Sequence, residues 1–175
     1  MAALVSSAVE LLAGIPSVIY GLIGMVVLVP AVASVFGLAS GACMLTAILV
    51  LAVMILPSII SVSVTALNAV PKEYEEASLA LGATKIETYF KVSLPAAKSG
   101  IAAGIVLGVG RAMGETMAVI MVAGNQPRMP KGILQGVRTL TGNIVIEMGY
   151  AAGLHREALI ATGVVLFVFI LLINL

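Results

Sequence analysis

The stretch SGIAAGIVLGVGRAMGETMAVIMVAGN, Ser99–Asn125, decides the fold class of this chain. Its 27 residues carry only two charges, Arg111 and Glu115. A helix needs about 20 consecutive apolar residues to cross a bilayer core, and this run is long enough. On a continuous helix, residues four apart share a face, so the two charges are expected side by side. A charge near the bilayer centre costs on the order of 3 kcal/mol on insertion scales, so such residues face a bundle interior or a water-filled path. Gly100, Gly104 and Gly108 recur every four residues, as do Gly110 and Gly114. That small-xxx-small spacing lets helix backbones approach closely and predicts an inner helix. About eleven rises of 1.5 Å separate Gly100 from Arg111, roughly 17 Å, which puts the arginine near mid-membrane.

Composition agrees outside this stretch. Of 175 residues, 61% are hydrophobic and 10% charged, against roughly 25% charged in soluble domains. Mean hydropathy is +1.20. Leu11–Val70 contains no Lys, Arg, Asp, Glu or His over 60 residues, which fits two crossings of about 20 residues or more with a short turn between them. A net charge of +1 argues against a nucleic-acid partner. The single Cys43 excludes an internal disulfide and implies no metal cluster. The N-terminus shows no basic leader or small-residue cleavage pattern.

The reading is an all-α, polytopic transmembrane bundle of about four spans. The first is expected over Ser17–Phe36, kinked near Pro30, with a turn at Ser34–Gly41. The second covers Ala42–Leu67 and holds Pro57, tolerated where neighbours re-satisfy the freed carbonyl. The third covers Gly100–Ala123, and the fourth runs from near Ala158 to Leu175. The first 16 residues hold one Glu and an Ile15-Pro16 break, which fits an amphipathic elbow or the end of an earlier span. Two polar loops remain, Asn68–Ser99 and Gly124–Glu157. Each carries four basic residues, so the positive-inside rule leaves the topology open.

The first loop contains PKEYEEASLALGATKIETYFKVSLP, Pro71–Pro95. Pro71 suits a first helical turn, Lys72–Leu81 reads as a short helix, and Gly82 is a natural stop. Thr84 with Glu87 is a capping-box signature opening a second short helix. Tyr74, Ala77, Ser78 and Leu81 fall on one face of the first helix, Ile86 and Phe90 on one face of the second. From spacing alone, a loop lying on the membrane surface and a block docking into a partner's groove both fit.

At this point the chain resembles the membrane permeases of bacterial ABC importers. Their cytoplasmic loop carries the pattern E-A-A, three residues, G, nine residues, I-x-L-P. Here it reads Glu76-Ala77-Ser78, Gly82 and Val92-Ser93-Leu94-Pro95, with Ser78 and Val92 as small departures. The resemblance implies a type I importer fold, with residues 1–175 a partial permease domain and residues 71–95 its cytoplasmic coupling loop. It implies that Tyr74, Glu76, Ala77, Ser78, Leu81, Gly82, Leu94 and Pro95 dock on the ATP-hydrolysing subunit. The stretches LLAGIPSVIYGLIG (11–24), GIVLGVGRAMGETMAVIMVAGN (104–125) and GLHREALIATGVVLFVFI (153–170) are similar to the phosphate importer permeases, PstC-like more than PstA-like. That implies inorganic phosphate as cargo, a multi-pass place in the bacterial inner membrane, and contact with lipid. It implies three kinds of partner: a PstA-like second permease subunit, an ATP-binding subunit dimer, and a periplasmic or lipid-anchored phosphate-binding protein. No cofactor is implied, and ATP hydrolysis would belong to the partner rather than to this chain. Complete family members carry more spans than this chain, which matches their later part and is expected to be truncated. A non-conducting permease with a structural or phosphate-sensing role therefore stays open, as does a permease for another oxyanion.

Arg111 is the candidate for the substrate path, because a guanidinium offers a planar donor fork to phosphate and keeps its charge. Glu115 has three candidate roles, orienting Arg111, accepting from a protonated phosphate, or pairing with a basic residue of the partner, and the first is favoured because a carboxylate beside a dianion would otherwise repel it. The bland alternative is a buried ion pair that satisfies only itself. A membrane enzyme using Glu115 or His155 as a base finds no support, since no H-E-x-x-H, nucleophile elbow or Gly-Lys-Ser/Thr phosphate loop occurs. His155, Arg156 and Glu157 read as a membrane-interface cap. Tyr20 and Tyr150 read as interface anchors, the nine Met as packing filler, and Arg128, Lys131 and Arg138 as a solvated loop, with attraction of anions at the external mouth as the alternative.

Overall fold

The computed structural model describes residues 2–175, with side chains described from Ser7 onward except that of Glu10. Among the described residues the secondary structure is helical, apart from one isolated bridge, Gly124 with Val137. The chain divides into two compact units, one of Met1–Ala13 and Leu56–Val109, the other of Gly14–Ile55 and Gly110–Leu175.

In the second unit, α2 (Ser17–Ile23) starts directly after Pro16, which serves as its N-cap. A π-helical turn, Gly24–Leu28, then leads into α3 (Val29–Phe36). Pro30 has no N–H to give and its ring crowds the preceding turn, so the ladder slips by one residue just before it. The expected kink is thus a π turn, and Ser17–Phe36 stays long and apolar enough to cross a membrane. Gly37, at φ 62°, closes α3 in the left-handed conformation that favours glycine there. Helix α4 (Met44–Asn68) runs through Pro57 without ending. Ala47 and Val50 of α4 form the core with Ala118, Val119, Val122 and Ala123, and Tyr20, Leu28 and Val29 pack against it.

In the first unit, α1 (Ala2–Ala13) ends before the Gly14-Ile15-Pro16 break. The expected amphipathic face of this segment falls partly on side chains outside the described residues. The charged loop forms α5 (Lys72–Ala80) and α6 (Lys85–Thr88), then a π-helical turn, Tyr89–Ser93, and α7 (Leu94–Ala96). After a 65° bend, α8 (Lys98–Gly114) begins. Gly100 and Gly104 of α8 work as their spacing predicts, whereas Gly114 meets open space. A Cβ on Gly100 would lie 2.5 Å from the Ala66 Cβ of α4, and one on Gly104 would lie 3.1 Å from Val62.

Among the described residues, three helices are long and apolar enough to cross a membrane: Ser17–Phe36, Met44–Asn68 and Leu154–Asn174. The count reaches four when the bent pair Lys85–Ala96 and Lys98–Gly114 is taken as one span. The expected third span, Gly100–Ala123, is not a single helix. It is α8 followed by the short α9 (Met117–Val122), separated at Glu115 and Thr116. The polar stretch Gly124–Glu157 is not only loop, since it contains α10 (Leu140–Met148). The last span, α11 (Leu154–Asn174), starts earlier than hydropathy suggests and takes His155, Arg156 and Glu157 into its first turn.

Candidate functional site

The interruption between α8 and α9 lies one turn beyond Arg111. Any helix end leaves backbone N–H and C=O groups unpaired, and at membrane depth each must find a partner. Here side chains supply them. The Glu115 carboxylate Oε1 accepts the Ala118 N–H at 3.1 Å, acting as a cap on α9. The Thr116 hydroxyl donates to the Gly114 carbonyl at 3.2 Å. From α10, the Thr141 hydroxyl donates to the Glu115 carbonyl at 3.0 Å. Backbone completes the set, with the Glu115 N–H donating to the Ala112 carbonyl at 3.2 Å. The break is therefore a built joint, and α9 beyond it is the most buried element of its unit: Ala118 and Val122 are fully buried and Val119 nearly so.

Arg111 and Glu115 consequently do not lie on one continuous helical face. Arg111 sits in the last turn of α8 with an exposed side chain, and Glu115 follows the helix end, partly buried. Beside Arg111, a Cβ on Gly110 would lie 2.6 Å from the Asn174 amide of α11, which itself donates to the Ile170 carbonyl at 2.8 Å. Thr141 was invisible in the sequence, 26 residues from the carbonyl it serves. The break had a signal. Gly114-Glu115-Thr116 ahead of an apolar run is a helix stop followed by a start, and hydropathy alone overrides it.

The Pro71–Pro95 block is a second candidate surface. Pro71 is the N-cap of α5 and not its first turn. Gly82 has φ +88°, and the Thr84–Glu87 capping box is complete. That box, first the Thr84 backbone N–H and then its hydroxyl, with Lys91 adding charge, holds the Glu87 carboxyl below its ordinary range. Two polar clasps join the arms: the Ser78 and Thr88 hydroxyls at 2.9 Å, and the Ser93 hydroxyl donating to Glu75 Oε1 at 2.9 Å. With the arms tied through polar groups, the apolar side chains point outward: Tyr74 is 55% exposed, Leu81 90%, Ile86 72% and Phe90 61%. Glu76, Ala77 and Pro95 are exposed too, whereas Ser78 and Leu94 are half-buried. Ser78, a departure from the family pattern, is thus the residue that forms one clasp.

Beyond α9 the chain turns at Asn125, φ 50°, whose side-chain amide donates to the Ile120 carbonyl at 2.7 Å. Arg138 is a bracket, not a solvated loop residue. Its Nε donates to the Asn125 carbonyl at 3.1 Å, and its Nη1 donates to Glu147 Oε1 at 2.6 Å and Asn143 Oδ1 at 3.4 Å. Glu147 also takes the Tyr150 hydroxyl, and His155 Nε2 lies 3.7 Å from its other oxygen. The Tyr150 hydroxyl first, then Arg138 and the charge of His155, hold the Glu147 carboxyl below its ordinary range. Glu147 in turn pushes the Tyr150 hydroxyl up. Tyr150 and His155 therefore belong to a hub joining α10 to α11. Among the described residues, no group of three or more His, Cys, Asp or Glu could hold a metal ion.

Against known proteins, the model of a family described as binding-protein-dependent transport system inner membrane component matches residues 2–175. A probable ABC transporter permease protein YqgH of Bacillus subtilis is 44% identical over 172 residues, covering 95% of this chain and 56% of that protein. Phosphate transport system permease proteins PstC of Xylella fastidiosa and Pasteurella multocida are 38% and 39% identical, covering 94% and 93% of this chain and 56% and 57% of theirs. The chain thus spans somewhat over half the length of these relatives. No solved structure matches it.

Proposed function

The chain belongs to the binding-protein-dependent transport system inner membrane components, and from that premise we propose that it is a permease subunit of an ATP-driven importer carrying inorganic phosphate. In this reading residues 71–95 are the cytoplasmic face gripped by an ATP-hydrolysing partner dimer, and Gly124–Glu157 lies on the opposite side. A PstA-like second permease completes the pore, and a phosphate-binding protein delivers cargo. Phosphate rather than another oxyanion is favoured by relatives that are themselves phosphate transport permeases.

The observation that carries the proposal is the clasped loop. A hinge of two short helices would ordinarily turn Tyr74, Leu81, Ile86 and Phe90 inward. Here Ser78–Thr88 and Ser93–Glu75 close the arms through polar groups instead, and the apolar row stands exposed. That is the geometry of a helix-in-groove contact. The block leads through a 65° bend into α8, the helix that carries Arg111, so in this reading a push on the block reaches that helix. Arg111 then lies on the phosphate path, its guanidinium a donor fork for the anion. Glu115 is engaged as a cap and does not need to meet the dianion.

Labelled-phosphate uptake tests this in membranes holding the assembled importer. Arg111→Ala is expected to abolish uptake while the ATP-binding subunits still co-purify, and Leu81→Asp to abolish co-purification. Full uptake by Arg111→Ala would sink the path assignment. Docking without uptake in the unsubstituted protein would favour a non-conducting permease.

A further inference from the structure

Beside the Arg138 bracket lies a cavity of about 330 Å³ lined by Gln126, Arg128, Arg138, Thr139 and Asn143 together with apolar side chains and Thr162, and no carboxylate lines it. From this cavity we infer a second anion site, separate from Arg111, that takes a phosphate group through Arg128 and Arg138. Arg138 is pre-set for the task. Its Nε and Nη1 are held by Asn125, Asn143 and Glu147, so the guanidinium plane is fixed at no further entropic cost, and its Nη2 has no partner among the described residues. The Arg128 guanidinium makes no ion pair among the described residues, so its charge is uncancelled. Asn143 gives its oxygen to Arg138, which leaves its amide hydrogens as donors. The Arg128 fork, the remaining Nη2 of Arg138 and an amide, with no carboxylate in the lining, match the several acceptor oxygens of a phosphate.

The site is open at the surface, so its binding is weak and falls with salt. Glu147 cancels one of the two arginine charges, which leaves a formal excess of one: enough to attract an anion and too little to trap it. It suits a staging position for an anion arriving at this loop, or a seat for a lipid headgroup phosphate. The inference rests on the phosphate reading above only for the choice of probe, because the lining itself selects any oxyanion of that shape.

The chain is placed in nanodiscs of zwitterionic phosphatidylcholine, and retention of radiolabelled inorganic phosphate is measured by equilibrium dialysis. A second set of discs contains phosphatidylglycerol, and mass spectrometry reads the lipid that co-purifies. Retention lowered about tenfold by Arg128→Ala, recovered in part by Arg128→Lys, and lowered to the same degree when Arg128→Ala is made in an Arg111→Ala background, establishes a site for free phosphate. No retention in the first discs, with Arg128-dependent enrichment of phosphatidylglycerol in the second, establishes a headgroup seat. Neither signal, or signals indifferent to Arg128→Ala with helical content intact, overturns the inference. Because Arg111→Ala is scored alongside, failure here is distinct from failure of the transport reading.

Discussion

The joint between α8 and α9 yields the sharpest test, because three side chains hold it and each has a separable role. Glu115→Ala removes the acceptor for the Ala118 N–H. Loss of a capping acceptor costs about 1 kcal/mol, which multiplies the open population of the first turn of α9 about fivefold. Thr141→Val removes the donor to the Glu115 carbonyl at nearly constant volume. Interhelical hydrogen bonds in membrane proteins average about 0.6 kcal/mol, about threefold in the same population. Glu115→Gln keeps a side-chain oxygen at the cap and is expected to stay within about twofold of the unsubstituted protein. Amide hydrogen exchange in detergent, read by mass spectrometry over residues 115–120, reports that population directly. The expected order of exchange is Glu115→Ala fastest, Thr141→Val intermediate and Glu115→Gln near the parent, with residues 47–54 of α4 unchanged. If Glu115→Gln exchanges as fast as Glu115→Ala, the negative charge and not the acceptor geometry holds the joint, and the capping argument is refuted.

At Gly41 a Cβ would lie 1.9 Å from the Val29 carbonyl oxygen and 2.7 Å from the Ala33 nitrogen. Both are backbone atoms that cannot move aside, so Gly41→Ala is expected to cost more than about 3 kcal/mol and to lower the thermal midpoint in detergent. Gly114→Ala meets open space and should stay within about 0.5 kcal/mol. Gly82→Ala also meets open space but must hold φ +88°. It is expected to lose about 1–2 kcal/mol of local stability, seen as faster limited proteolysis between α5 and α6, with Gly82→Asn falling between. The Glu147 carboxyl is held below its ordinary range, about 4.3. Its contribution is therefore fully present above that pH and is lost as pH falls through the lower folded value. A thermal midpoint that declines in that acid window in the parent but not in Glu147→Gln checks this, and equal slopes would refute it.

Much of the architecture was legible because it follows from local chemistry. Pro16, Gly37, Gly82 and the Thr84–Glu87 box act through the backbone of their own few residues, so their patterns specify the same geometry wherever they occur. The glycine stripe was legible for a related reason: residues without a Cβ, spaced one turn apart, have a use only where another backbone comes close. The joint was not legible by the same means. Hydropathy averages over a window longer than the Gly114–Thr116 interruption, and what stabilises that interruption arrives partly from Thr141. Arg138 and Glu147 were missed likewise, because a charged residue in a polar loop looks the same whether it is solvated or braces two helices. The docking and path roles given to the Pro71–Pro95 residues and to Arg111 rest on resemblance and exposure, which is why uptake and co-purification must decide them.

The GRAMGET block can now be assigned work position by position, and the assignment bears on why a carboxylate sits near a proposed anion path. Gly110 leaves room for Asn174. Ala112 and Gly114 offer the carbonyls that take the Glu115 N–H and the Thr116 hydroxyl. Glu115 spends an acceptor on α9, where the N–H groups and the helix dipole favour negative charge. A carboxylate so placed is matched by local donors, so it repels a passing anion less than a free one would. Non-helical backbone at membrane depth persists only where protein buries it or where it lines a water-filled cavity. On the protein side Thr141, Thr116 and Glu115 meet that condition. Arg111 lies exposed one turn before the joint, where the proposed path would pass.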